Sequence, residues 1–142
     1  MHVRDALDSD VSWLPGYILG GFDSSGATPR FDRIEAAVAQ CRGPTGFALI
    51  AEHDGMPVGI LGALVTEPWW SVEPQINVLA LRSTRPGAGA LLIRALLQRA
   101  LNTFASHVAV TIENPDPRVE KMMRRFGKHR VLRTYVFRNQ EA

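Results

Sequence analysis

The stretch Gln75-Ile76-Asn77-Val78-Leu79-Ala80-Leu81-Arg82, followed by Ser83-Thr84-Arg85-Pro86-Gly87-Ala88-Gly89, decides how this chain is read. Residues 75–82 form a nearly continuous apolar run, the pattern of a central strand covered on both faces. From Gly87 to about Thr103 the apolar positions Ala88, Leu91, Leu92, Ala95, Leu96 and Leu101 recur near every 3.6 residues, which predicts an amphipathic helix laid on a sheet. Between them, segment 83–89 is a turn that opens a helix. The amides of a first helical turn have no intrahelical acceptor, and the helix dipole adds a positive end, so such a turn suits an anion. Gly87 and Gly89 carry no Cβ to hold a pyrophosphate away, and Pro86 presets φ at the helix entry. Tight strand-to-helix packing is the plainer alternative for the same residues.

Working outward, residues 107–112 are a β-branched run after the helix, so residues 75–112 read as a βαβ unit with a parallel, right-handed crossover. Val119, Met122, Met123 and Phe126 predict a short helix ending at Gly127, and residues 130–138 a closing strand. Upstream, His53-Asp54-Gly55 is the signal of a tight hairpin between the apolar strands 47–52 and 56–65. Phe31, Ile34, Ala37, Val38 and Cys41 mark one face of a helix that Gly43-Pro44-Thr45-Gly46 ends. Residues 2–6 read as an opening strand, and Asp8-Ser9-Asp10 as N-cap chemistry for a helix over 11–19. No repeat or linker divides the 142 residues, so one domain over residues 1–142 is expected, long enough to bury roughly 70% of its unfolded surface.

Composition narrows the function classes. Apolar residues make up 46% and charged residues 21%, an ordinary globular balance. The apolar runs are too short and interrupted to span a bilayer, and the first residues lack the apolar core of a secretory signal, so a soluble, cytoplasmic protein is expected. Cys41 is the sole cysteine and reads as a small buried side chain, which excludes an intrachain disulfide. His2, His53, His107 and His129 have no metal-ligand spacing, and no metal site is expected. The net charge of +2 is modest, but Arg118, Lys121, Arg124, Arg125, Lys128, Arg130 and Arg133 gather towards the C-terminus. They form either a solvated face or a patch for CoA phosphates, nucleic acid or an acidic partner. No recognition helix or interleaved aromatics accompany them, so nucleic acid is not the expected partner.

The order strand, two helical segments, hairpin, long strand, glycine turn, helix, strand, short helix, strand resembles the GNAT superfamily of N-acyltransferases over nearly the whole chain. In that family the loop carries a basic or amide residue, two variable residues, Gly, one variable residue, then Gly or Ala. Thr84-Arg85-Pro86-Gly87-Ala88-Gly89 matches both glycines and departs at Thr84, leaving Arg85 as the nearer cation. The resemblance implies an α/β (mixed α+β) fold: a mixed, largely antiparallel sheet of six to seven strands with a splayed cleft, flanked by about four helices. It implies acetyl-CoA as co-substrate, an amine acceptor and direct acyl transfer, with main-chain groups of Val78, Leu79 and Leu81 along the pantetheine and the loop 84–89 at the pyrophosphate.

The resemblance further implies a base for the amine, for which Glu73 stands best and Glu67, Glu113 and Asp116 less well, and a contact from Asn114 to pantetheine. The family's proton-donating tyrosine falls at Met123, which cannot donate, and Tyr135 on the last strand is either its nearby substitute or a half-buried strand aromatic. Trp69-Trp70 would line an acceptor pocket, bury against a partner or cap the core. The departures at Thr84 and Met123 leave a second expectation: an inactive member acting as a structural or assembly component, for example in a bacteriophage virion. A protein partner or homo-oligomer fits either expectation.

Overall fold

A computed structural model describes residues 1–21, 28–112 and 117–132. The chain divides into two compact units, Met1–Ile112 and Glu113–Ala142.

The first unit contains the five strands formed by the described residues, in the order β1-β2-β3-β4-β5. They are β1 (His2–Asp5), β2 (Gly46–His53), β3 (Met56–Thr66), β4 (Gln75–Ser83) and β5 (His107–Val110). β1 to β4 pair antiparallel in sequence order, whereas β4 and β5 pair parallel. That is the mixed α/β sheet with a parallel crossover expected from the sequence, with five strands rather than six or seven. The remaining expected strand, residues 130–138, falls mostly outside the described residues, and 130–132 are not strand. The β2–β3 hairpin turns at Asp54 and Gly55, both at positive φ (51° and 76°), the conformation an Asp-Gly turn supplies.

Two layers of helix cover the sheet. On one face lie α1 (Leu14–Leu19) and α2 (Phe31–Cys41), whose Leu14 and Val38 pack with Ile50 and Ile60 of the hairpin. On the other lies α3 (Ala88–Ala100), which buries Ala88, Leu92, Ile93 and Leu96 almost completely. Burial of each of its Leu and Ile side chains contributes about 2 kcal/mol. Gly59 of β3 lets α3 come this close, because a Cβ there would sit 3.0 Å from Leu92 Cδ1 and 3.4 Å from Ala88 Cβ.

The helix expected over 11–19 is shorter and differently capped. Residues Asp8–Asp10 form a 3₁₀ turn, and α1 begins only at Leu14, with Trp13 at its N-cap and no side-chain cap bond. Asp10 does other work. Its carboxylate, 4% exposed, accepts hydrogen bonds from Arg4 Nη1 (2.6 Å) and Nη2 (3.0 Å), the Leu7 amide (2.7 Å) and Trp13 Nε1 (3.0 Å). Arg4 Nε also donates to Glu52 at 2.8 Å, joining β1, the 3₁₀ turn and β2. Chiefly the hydrogen bond from Arg4 holds the Asp10 pKa down to about 2, and the reciprocal bond raises that of Arg4.

In the second unit, α4 (Pro117–Arg125) carries the basic residues Arg124 and Arg125 in its last turn. Phe126 then donates its amide to the Met123 carbonyl at 3.1 Å, and Gly127 takes φ 132°, so the helix stops where the glycine predicted.

Candidate functional site

β4 and β5 run side by side for only four residue pairs, Gln75↔His107 to Val78↔Val110. β5 ends there, while β4 continues to Ser83 along β3. At the same point β4 carries a bulge: Val78 faces Ala63 and Ala80 faces Gly62, so Leu79 is an extra residue without a β3 partner. A bulge interrupts the ladder and re-aims the strand. From Leu79 onward the β5-facing edge of β4 has no strand beside it among the described residues, and this parting of the two strands is a notch in the pairing of the sheet. A ligand with amide and carbonyl groups can complete the ladder there.

The notch leads to the glycine turn. Gly87 is the N-cap of α3 at φ 86°, the left-handed conformation that a Cβ disfavours. Ala88 donates its amide back to the Arg85 carbonyl at 3.2 Å, and Leu91 makes the first helical bond, to Gly87, at 3.1 Å. The amides of Gly89 and Ala90 fall in the first turn, where a helix leaves donors without acceptors. Pro86 immediately precedes the cap, at the helix entry. The 13-residue helix then adds the positive end of its dipole at the turn.

The polar side chains around the turn sort into engaged and free. Thr84 is tied down: its amide donates to the Val58 carbonyl at 2.9 Å and its hydroxyl to the same oxygen at 3.3 Å, with Tyr17 Oη 3.5 Å away. The residue replacing the usual phosphate ligand therefore pins the loop to β3. Arg82 is also engaged, donating to the Tyr17 carbonyl with its guanidinium carbon 4.5 Å from the Tyr17 ring centroid. Arg85 is exposed and makes no ion pair or side-chain hydrogen bond among the described residues. Its guanidinium could meet an anionic group bound at the turn.

Thus Val78, Leu79, Leu81, Thr84, Arg85, Pro86, Gly87, Ala88 and Gly89 share one end of the β4–α3 unit. Glu73 does not join them. It sits exposed before β4, its amide bonded to Ser71 Oγ at 3.1 Å. The start of the strand at Gln75 lies about 13 Å from the bulge by strand rise alone. Trp69 and Trp70 are exposed on the same β3–β4 loop, at 96% and 68%, and cap no core. Asn114 and Tyr135, with Glu113, Asp116 and Arg133, lie outside the described residues. Two features escaped sequence reasoning: the bulge, because a continuous apolar run hides a change of register, and Tyr17, which reads as one more aromatic in a helix. Among the described residues no cluster of His, Cys, Asp and Glu could hold a metal, and no helix is long and apolar enough to cross a membrane.

This architecture is the GNAT acetyltransferase fold, which solved structures share across nearly the full chain. A probable acetyltransferase matches with TM-score 0.73 at 12% identity, covering 100% of both chains. A putative acetyltransferase from Agrobacterium tumefaciens str. C58 matches with TM-score 0.71 at 17% identity, over 98% of this chain and 100% of that one. An aminoglycoside acetyltransferase from an uncultured soil metagenomic sample, solved with sisomicin, gives TM-score 0.66 at 17% identity, over 96% and 95% of the chains. No family model and no curated protein matches by sequence.

Proposed function

We propose that this protein is an N-acyltransferase that takes an acyl group from an acyl-CoA such as acetyl-CoA and transfers it directly to an amine. The observation that carries the reading is the notch: β4 parts from β5 after Val78, bulges at Leu79, and ends in a positive-φ glycine turn at a helix N-terminus. The acetyltransferase neighbours support acyl transfer in general, and the aminoglycoside acetyltransferase among them points towards a small amine as acceptor. None of them supports an assembly role.

In this reading the pyrophosphate rests on the amides of Gly89 and Ala90 with Arg85 beside it, and pantetheine adds to the free edge of β4. The thioester carbonyl then reaches the bulge, where a main-chain amide near Leu79 stabilises the oxyanion as the amine nitrogen attacks. Collapse of the tetrahedral adduct breaks the carbon–sulfur bond and expels the CoA thiolate, which takes a proton. The attacking nitrogen loses its proton to a base. Glu73, distant from the bulge, serves this step through intervening water.

Calorimetry with acetyl-CoA and CoA tests the binding half, and thiol release with a panel of amines the catalytic half. Micromolar to sub-millimolar binding with amine-dependent thiol release is expected. Absence of binding at millimolar cofactor sinks the proposal.

A further inference from the structure

The first unit holds a cavity that reaches Leu79 of β4. Its volume is about 110 Å³, and it sits between the α1–α2 layer and the sheet, walled by Leu14, Ile34, Val38, Cys41, Ile60 and Leu79 among others. It has room for about three water molecules at roughly 30 Å³ each. Its wall is almost wholly apolar and offers water few hydrogen-bond partners, so the fitting guest is a hydrocarbon. Leu79 belongs to both features. It is the bulged residue where β4 loses its β5 partner, it is 52% exposed, and it lines the cavity. The cavity and the parting of the strands therefore share Leu79, beside the position proposed for the thioester carbonyl.

From this continuity we infer that the cavity is an acyl-chain pocket and that the donor is a medium-length aliphatic acyl-CoA, with about four to six acyl carbons, in preference to acetyl-CoA. The inference rests on the acyl-CoA reading above and specifies its donor. Each methylene transferred from water into such a cavity tightens binding about four-fold, and part of that gain is lost to immobilising the chain.

The test compares CoA, acetyl-CoA, butyryl-CoA and hexanoyl-CoA by calorimetry on the full chain and on Ala37→Leu. Ala37 faces the cavity from α2 and belongs to neither the glycine turn nor β4. Hexanoyl-CoA is expected to bind on the order of 10-fold tighter than acetyl-CoA, and Ala37→Leu to erase that difference while leaving acetyl-CoA affinity in place. Equal affinities along the series, or a difference that survives Ala37→Leu, overturn the pocket assignment alone. Failure of every CoA species to bind overturns the acyl-CoA reading and this inference with it. If Ala37→Leu does not fold, Cys41 reports instead, being the only thiol in the chain. Its reaction with methyl methanethiosulfonate is expected to slow with saturating hexanoyl-CoA and not with acetyl-CoA. Equal protection by the two thioesters, or protection by hexylamine in their place, overturns the assignment, the latter by giving the cavity to the acceptor.

Discussion

At the scale of single residues, Gly87 carries most. Its φ of 86° costs an L-residue about 1–2 kcal/mol, so Gly87→Ala should lower stability by that amount in urea unfolding. It should also weaken CoA binding several-fold, as the turn relaxes away from the phosphate. This glycine was legible in the sequence because its spacing before an apolar helix has few other uses. Asp10 was not. An aspartate ahead of a helix reads as a cap, and only the fold shows that Arg4, six positions earlier, turns its carboxylate into a buried junction. The folded carboxyl holds its proton more weakly than the unfolded one, with a pKa of about 2 against 3.8. The ionised form therefore favours folding, by about 2 kcal/mol. That stabilisation is full above about pH 4 and drains as pH falls through 2. In Asp10→Asn the acid-side slope of unfolding free energy against pH should flatten over that window.

At the scale of elements, the α1–β4 contact shows why side chains near a site need not serve it. Arg82 directly precedes the turn at residues 83–89 in a run that counting would aim at a ligand, yet it reaches back to Tyr17 of α1. Tyr17 holds it with a carbonyl and a ring face. Tyr17→Phe keeps both and should change the urea midpoint little, whereas Tyr17→Leu loses the cation–π contact, worth about 0.5–1 kcal/mol, and should lower it measurably. The hairpin, α2, α3 and the βαβ unit could be foreseen because Asp-Gly, helical periodicity and β-branched runs are local signals. The bulge at Leu79 could not. It is a mismatch in length between two strands, which neither strand's sequence reveals alone.

At the scale of the molecule, stability should be graded. β2 and β3 are paired on both sides, and Leu49, Ile50, Ala51, Ile60, Leu61 and Ala63 are at most 2% exposed. In native-state hydrogen exchange their amides should be the slowest, opening only on global unfolding, while those of α4, with no buried residue, exchange by local opening. Slow exchange throughout α4 would contradict this. The order of elements was visible in the sequence because adjacent segments pair with one another in this sheet. Strand number was less so, since residues 130–132, at the start of the last expected strand, are not strand.

The parting of β4 from β5 has a further consequence, for handling the protein. Among the described residues no strand pairs with β4 beyond Val78 on the β5 side, and Leu79 there is half-exposed. An open strand edge is a template for a neighbouring chain as much as for a ligand. Concentrated protein without a bound thioester should scatter more light over days than protein stored with CoA. An additive chosen to occupy the site would then also serve as the preservative.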